Sequence, residues 1–203
     1  MKYQEFKKSL KKPYFSQSDL KQRNLKVFLY QLSSWTQKEY IGTLKKSMHY
    51  FIDETPNIKP EEIAFFIYNP SYISMECALS HYGLIPEAIF SITSVTSLTN
   101  RHFKNKFGNF FYRHLSPSLF FGYNSVGTKY GKYLLAEPEK AMLDYFYLNS
   151  GRIEDETDIE ELRINTEVFN KIINKKKLNE YLKVFHIKKL DKIINLLIKS
   201  CSH

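Results

Sequence analysis

The sequence predicts an α+β fold whose C-terminal part is helical. Apolar residues recur at helical spacing near both ends of the chain. Between them, residues 90–136 are rich in Thr, Val, Phe and Tyr and carry four glycines, a composition typical of strands joined by turns. Hydrophobic residues make up 43% of the 203 positions, which is enough for a packed core.

The first residues of the chain predict two short helices. Tyr3, Phe6 and Leu10 are spaced as on one face of a helix. The segment Ser16-Gln-Ser-Asp19 has the capping-box pattern, a Ser or Thr followed three residues later by an acid. A second helix is therefore expected to begin there and to end near Arg23.

A third helix and a hairpin are expected next. Asn24 is expected to cap this helix, and its apolar stripe is expected to comprise Leu25, Phe28, Leu29, Leu32 and Trp35. The β-prone runs on either side of Lys45-Lys46-Ser47 predict a hairpin. Three helices and a hairpin in this order are typical of a winged helix-turn-helix, which we assign to residues 1–55 and call the head.

Residues 61–203 predict a mixed α/β unit, which we call the body. Pro56 and Pro60 mark the boundary that precedes it. Residues 61–68 predict a short helix, and residues 90–136 predict three to five strands. Residues 150–203 are expected to be helical.

Two helices of the body show terminal signals. Ser74 is expected to cap one helix, and Gly83 fits the position just after its end. Glu137-Pro138-Glu139 is expected to open another, because Pro is favoured in the first turn and acids interact well with the positive end of the helix dipole. The apolar stripe of this second helix is expected to comprise Ala141, Met142, Tyr145 and Leu148.

Positive charge is concentrated in the head. Residues 1–50 contain eleven Lys and Arg and three acids, a net charge of +8. The other residues contain nineteen Lys and Arg and eighteen acids, a net charge of +1. A basic module on a neutral body is typical of a protein that binds the phosphate backbone of nucleic acid. The alternative is a lysine-rich face that is merely solvated.

Composition also bears on the compartment. The N-terminus lacks the apolar stretch of a signal peptide, and the longest apolar run, residues 63–68, is far too short to span a bilayer. Only Cys77 and Cys201 occur, so no disulfide framework is expected. These features predict a cytoplasmic protein.

Five motifs, in order, resemble the AbiEi-type antitoxin family of type IV toxin–antitoxin systems. They are Pro70-Ser-Tyr-Ile-Ser-Met-Glu-Cys-Ala-Leu-Ser-His-Tyr-Gly-Leu-Ile-Pro-Glu87, Ile92-Thr-Ser-Val-Thr96, Phe107-Gly-Asn-Phe-Phe-Tyr-Arg-His114, Phe121-Gly-Tyr123 and Ala136-Glu-Pro-Glu-Lys-Ala-Met-Leu-Asp144. The resemblance implies a winged-helix head that represses its own operon and a body that counteracts a nucleotidyltransferase-like toxin, without requiring a direct complex. The hairpin keeps the family's basic residues and Tyr but lacks its Gly.

A set of DNA contacts is expected from the third helix and the hairpin. Helical geometry turns Val27, Tyr30 and Gln37 away from the apolar stripe, where they can meet bases or phosphates in the major groove. The full set of expected contacts with double-stranded operator DNA is Lys21, Arg23, Lys26, Val27, Tyr30, Ser34, Gln37, Lys45, Lys46 and His49. The alternatives are packing on the body or on a second subunit of a homodimer, and, for the hairpin, an ordinary solvated turn.

The polar residues of the family-like motifs form a second set. They are Ser74, Glu76, Tyr112, Arg113, Glu139, Lys140 and Asp144. We expect them to cap helices and pair charges where helix meets sheet, with Lys140 and Asp144 paired at i, i+4; the alternative is a surface that antagonises the toxin.

No catalytic residue, metal or cofactor is expected. The acids and Lys of residues 137–144 superficially resemble a metal-dependent nuclease site, but Glu139 and Lys140 are neighbours on a helix and point about 100° apart. Two further functions stay open: a stand-alone transcription regulator whose body dimerises or senses a ligand, and a nuclease-like enzyme that uses these residues.

Overall fold

The protein has a mixed α/β fold with a helical C-terminal region. The computed structural model describes residues 1–153 and 156–201. Within those residues, no helix is both long enough and apolar enough to cross a membrane.

The head contains three helices and a three-stranded antiparallel sheet. In chain order its elements are α1 (Tyr3–Ser9), β1 (Tyr14–Ser16), α2 (Gln17–Gln22), α3 (Leu29–Gln37), β2 (Ile41–Lys45) and β3 (Met48–Phe51). The sheet order is β1-β3-β2. The first two helices and the hairpin are confirmed. Strand β1 was not predicted, because it has three residues and exists by pairing with β3, as Tyr14 pairs with Tyr50.

The capping box at the start of α2 is confirmed. The Ser16 Oγ accepts a hydrogen bond from the Asp19 backbone N–H at 3.2 Å, and the Asp19 carboxylate accepts one from the Ser16 N–H at 2.7 Å. These reciprocal bonds satisfy two N–H groups that helix formation would otherwise leave unpaired.

Helix α3 begins four residues later than expected, at Leu29 instead of Leu25. Asn24 does not cap it: this residue has a φ of 53° and ends α2, as the Asn24 N–H donates to the Lys21 carbonyl and the Leu25 N–H to the Leu20 carbonyl. This is a Schellman motif in which Asn occupies the left-handed position usually taken by Gly. The sequence pattern was ambiguous because Asn favours both ends of a helix.

The late start changes which residues of α3 are buried. Leu32 and Trp35 belong to the head core, with exposed fractions of 5% and 7%. Phe28 and Leu29 were expected in the same stripe, yet they are 58% and 71% exposed, so that part of the prediction is wrong.

The body is built on a six-stranded mixed sheet. Its elements are α4 (Pro60–Ile67), β4 (Ser71–Ile73), α5 (Met75–His81), β5 (Ser91–Thr96), β6 (Arg101–Asn105), β7 (Gly108–His114), β8 (Tyr123–Gly127), β9 (Lys132–Ala136), α6 (Pro138–Asn149), α7 (Glu156–Glu160), α8 (Thr166–Ile172), α9 (Lys175–Phe185) and α10 (Lys188–Ser200). The strand order is β6-β7-β5-β4-β9-β8, with β4–β9 and β5–β7 parallel. The prediction of up to five strands in residues 90–136 is confirmed, and β4 was missed because it has only three residues.

The helix-end predictions in the body had mixed outcomes. Gly83 comes directly after the end of α5 with a φ of 70° and forms a Schellman motif, as predicted, in which the Leu84 N–H donates to the Leu79 carbonyl. Ser74 is the N-cap residue of α5, as predicted, but its side chain makes no capping hydrogen bond, because its Oγ donates to Asp144 instead.

Helix α6 is buried on more than one face. It opens at Pro138, as predicted, and contacts α5 as well as α9 and α10. Leu143 and Phe146 are therefore buried in addition to the predicted Ala141 and Met142. A single apolar stripe underestimates burial when helices pack on two sides.

The head packs directly on the body. Tyr14, Leu44 and Tyr50 of the head share one buried cluster with Ile63 and Phe110 of the body. The expected boundary at residues 53–60 is a 3-10 helix, Ile52–Asn57, that leads into α4. The two units therefore share part of their apolar core.

Candidate functional site

The exposed face of α3 is free of carboxylates and, after Leu29 at its start, consists of residues with polar groups. Tyr30 is 70% exposed, and Ser33 and Gln37 are also exposed. The helix contains no acidic residue, so nothing on this face repels an anion. Tyr30 and Gln37 thus lie where the sequence predicted, whereas Ser34 is half-buried. Ser33 was missed, although a helical wheel centred on Leu32 and Trp35 would have identified it.

Val27 does not belong to this face. It lies before α3 begins and packs, half-buried, against the head core. Its predicted outward orientation is wrong, because that prediction used a helix register that started too early. Lys26, its neighbour, is exposed as expected.

An apolar patch lies at the N-terminus of α3. Phe28, Leu29 and Tyr30 are all exposed, and the Phe28 and Tyr30 rings stack with centroids 5.7 Å apart. Three adjacent exposed apolar side chains are unfavourable in water unless they meet a partner. Stacked rings of this kind can cover base edges or thymine methyl groups.

The hairpin offers fewer free contacts than expected. Lys46 is exposed at the turn. Lys45 instead reaches across to the body, with its Nζ 5.1 Å from the Phe103 ring centroid, and burial lowers its pKa. His49 is half-buried beside the Phe15 ring, and burial lowers its pKa as well. Lys45 and His49 therefore do not form part of an exposed hairpin tip, which corrects the prediction.

Two further predicted contacts are on or just after α2. Lys21 is exposed on this helix, and Arg23 is exposed directly after it. Lys21, Arg23, Lys26 and Lys46 are thus the solvent-accessible cations among the predicted DNA contacts.

The polar motif residues of the body meet in a buried network. Lys140 and Asp144 form an ion pair and are both 0% exposed. The Lys140 Nζ also donates to the Tyr72 hydroxyl at 2.8 Å. The Asp144 carboxylate accepts hydrogen bonds from the Tyr72 hydroxyl and the Ser74 Oγ, each at 2.8 Å. We call Tyr72, Ser74, Lys140 and Asp144 the buried network.

Burial disfavours the charged forms of the two ionisable side chains in the buried network, Lys140 and Asp144. It raises the pKa of Asp144 and lowers the pKa of Lys140, while the ion pair opposes both shifts. Three rings surround the ammonium group, with the Lys140 Nζ 5.1 Å from the Phe121 centroid and 5.3 Å from those of Tyr72 and Phe185. Cation–π contacts of this kind stabilise an ammonium that has lost its water. Sequence reasoning missed Tyr72, although it stands inside the first motif.

Glu137 and Glu139 connect α6 to the C-terminal helices. The Glu139 carboxylate accepts a hydrogen bond from the Asn174 backbone N–H at 2.9 Å, and the Lys177 Nζ lies 2.9 Å from Glu137. The Tyr181 hydroxyl donates to Glu137 at 2.6 Å. Burial alone would raise the pKa of Glu137, but the hydrogen bonds from Tyr181 and Lys177 outweigh it and lower this pKa. The C-terminal helices therefore close over the last motif.

Three charged residues of α6 are buried in the body. Glu139 is 3% exposed, and Lys140 and Asp144 are fully buried. The i, i+4 pairing of Lys140 with Asp144 is confirmed. A hydrated metal and a phosphodiester have no access to a cluster buried in this way, so these residues do not form the open site that a nuclease would need.

The remaining motif residues make contacts within the body. The Tyr112 hydroxyl donates to the Ala64 carbonyl at 2.6 Å. Arg113 donates to the Leu148 carbonyl near the end of α6 at 3.3 Å. Glu76 is half-buried in the first turn of α5. Tyr112 and Arg113 join strand β7 to helices.

Gly122 is expected to be sensitive to substitution because it lies against the buried network. It has a φ of 70°, and an added Cβ would stand 3.0 Å from the Lys140 Cγ and 3.0 Å from the Tyr181 ring. Gly122→Ala should lower the free energy of unfolding by about 1–2 kcal/mol for the backbone conformation and by about 1–3 kcal/mol more for overpacking. Urea denaturation measures the sum.

Gly83→Ala is the matched control. Gly83 has the same φ of 70°, but a Cβ there would meet nothing within 4 Å. Gly83→Ala should therefore lower the free energy of unfolding only by the backbone contribution of about 1–2 kcal/mol. Equal losses for the two variants would show that the network tolerates extra volume, contrary to the geometry.

No protein-family model matches this chain, and no curated protein matches its sequence.

Proposed function

We propose that this chain is a cytoplasmic DNA-binding transcription regulator whose head is a winged helix-turn-helix. The observation that carries the proposal is the order α1–β1–α2–α3–β2–β3, with β2 and β3 joined by a tight hairpin. In such a domain α2 and α3 form the helix-turn-helix, α3 enters the major groove, and the hairpin is the wing. Tyr30, Ser33 and Gln37 are then the base-reading residues.

The charges of the head support this orientation. The solvent-accessible Lys21, Arg23, Lys26 and Lys46 stand on or beside the helix-turn-helix and at the wing tip. Phosphate contacts of this kind position a protein on DNA, while the side chains of the recognition helix read the sequence. Uncharged hydrogen-bonding groups on α3 and cations around it fit that division of roles.

The proposal extends to an autorepressing antitoxin that counteracts a nucleotidyltransferase-like toxin. The resemblance to the AbiEi-type family suggests this role, and the fold supports treating the motifs as one unit. Tyr72 from the first motif and Phe121 from the fourth contact the Lys140 ammonium of the fifth. Ser74 from the first motif donates a hydrogen bond to Asp144 of the fifth. Motifs that build a single buried network define the body, which would carry the activity against the toxin. Exposed residues of the body, not the buried network, would then meet any partner.

Salt dependence tests DNA binding by the full-length chain. Bound to duplex DNA from upstream of its own gene, the protein should show a log K that falls by about 0.9 per phosphate contact per decade of salt. Lys21→Ala and Lys46→Ala should each weaken binding to all sequences alike and reduce this slope by about 1. Fluorescence anisotropy at several salt concentrations gives both quantities.

The matched control is Lys189→Ala, which removes an exposed lysine from α10 in the body. For this variant the slope of log K against the logarithm of the salt concentration should equal that of the unmodified chain. Binding that stays flat between low and moderate salt would refute the electrostatic part of the proposal. A salt dependence that falls equally in all three variants would indicate attraction to the overall charge of the chain instead of a binding site on the head.

A further inference from the structure

A cleft lies at the junction between head and body. Its volume is about 340 Å³. Head residues 10–23 form one wall, and α4 with the β8–β9 turn of the body forms the other. Cavities of this size hold small molecules. A ligand in this cleft would touch both units at once.

Four cations line the cleft. They are Lys11, Lys12, Arg23 and Lys132, and all four are exposed. Within residues 1–153 and 156–201, none of them forms an ion pair with a carboxylate. The cleft thus gathers like charges that repel one another in the absence of an anion.

The two carboxylates in the lining are already engaged. Asp19 accepts hydrogen bonds from the Ser16 N–H and Oγ, each at 2.7 Å. Glu62 is buried and accepts one from the Tyr14 hydroxyl at 3.0 Å. Four cations and two acids leave a formal charge of +2 in a concave site whose walls are partly apolar, and the concave shape concentrates the positive potential.

Gly131 brings the two walls together. A Cβ at this position would stand 3.2 Å from the Tyr14 hydroxyl and 3.3 Å from the Lys12 Nζ. The absence of a side chain therefore allows Lys12 of the head to approach the body beside Lys132. Phe65 and Phe66 add half-buried apolar surface to the same cleft.

We propose that this cleft binds a small phosphorylated ligand that carries at least two negative charges. Phosphate oxygens accept the charge-assisted hydrogen bonds that lysine and arginine side chains donate. The unpaired cations supply those donors, the occupied acids do not compete for them, and the volume suits a ligand of pyrophosphate to nucleotide size. The inference does not depend on DNA binding, because it rests on the lining of the cleft, which shares only Arg23 with the proposed DNA contacts.

Calorimetric titration of the full-length chain without DNA tests the proposal. Sodium pyrophosphate and adenosine diphosphate serve as probes at low ionic strength. At least one of them should bind with one-to-one stoichiometry. Lys12→Gln combined with Lys132→Gln should weaken that binding by about tenfold or more, the cost of losing a charge-assisted hydrogen bond.

The matched control is Lys8→Gln combined with Lys189→Gln. It removes the same two charges, one from the head and one from the body, at exposed positions outside the cleft. Its affinity should stay within about twofold of the unmodified chain, since exposed charges at a distance are screened. Equal weakening in both double variants would reduce the effect to general electrostatic attraction and overturn the proposal.

Two other results would also overturn it. One is that neither probe binds the unmodified chain. The other is that the cleft variant keeps its affinity for the probes. A DNA-binding measurement on the cleft variant distinguishes a small phosphorylated ligand from the phosphate backbone of DNA. If the variant loses affinity for duplex DNA and the unmodified chain binds neither probe, these cations contact the DNA backbone instead. Failure of DNA binding in the unmodified chain would leave the calorimetric result unaffected.

Discussion

Asp144→Ala is expected to lower the free energy of unfolding by about 3–5 kcal/mol, because it leaves the Lys140 ammonium buried without its counter-charge. The Tyr72 and Ser74 hydroxyls also lose their acceptor. An exposed acid at a helix start would cost only about 0.3–1 kcal/mol. Urea denaturation followed by circular dichroism distinguishes these magnitudes.

Glu167→Ala is the control for this prediction. Glu167 is an exposed acid in the first turn of α8, so Glu167→Ala should lower the free energy of unfolding by only about 0.3–1 kcal/mol. The double variant Lys140→Met with Asp144→Ala should lose less stability than the two single changes summed, since removing both charges leaves neither one stranded. If Asp144→Ala costs no more than Glu167→Ala, the ion pair does not hold the body together.

Tyr30→Ala combined with Gln37→Ala is expected to abolish operator preference while the head stays folded. Each base contact contributes about 1–3 kcal/mol of discrimination, and both side chains are exposed. Affinity for unrelated DNA should change little, because the lysines proposed to contact phosphates are intact. Fluorescence anisotropy with upstream DNA and with a scrambled duplex of equal length gives the two affinities, and their ratio measures operator preference.

The same variant separates repression from antitoxin activity in cells. If the proposed antitoxin role holds, repression of the promoter should be lost in this variant, whereas rescue of cells that express a toxic neighbouring gene should persist, because the family-like motifs lie in the body. Point changes suit this test better than removal of the head, which would uncover Ile63 and Phe110 of the shared cluster. Retained sequence preference would show that α3 is not the reading helix. A neighbouring gene without toxicity would remove the antitoxin role and leave the regulator.

Val27→Asp gives the contrasting outcome. Val27 packs on the head core, so a carboxylate there should unfold the head instead of altering its specificity. A folded Val27→Asp variant that loses only its operator preference would restore the sequence-based orientation of this residue.

Local patterns were sufficient for much of the secondary structure. The capping box at Ser16, the Gly83 helix end and the Pro138 helix start each rest on bonds or backbone angles within a few residues, so they were predictable. Strands β1 and β4 were not, because three-residue strands are stable only through pairing with distant partners. The role of Asn24 was mispredicted because Asn is common both at the start of a helix and just after its end.

The candidate site divides in the same way. The basic head, the outward orientation of Tyr30 and Gln37 and the i, i+4 pairing of Lys140 with Asp144 were predictable, since they depend on composition and helical spacing. The burial of Lys140 and Asp144, the inward packing of Val27 and the cationic cleft between head and body were not predictable from these patterns. Burial depends on which elements pack on each face, and that is set by contacts between residues far apart in the chain.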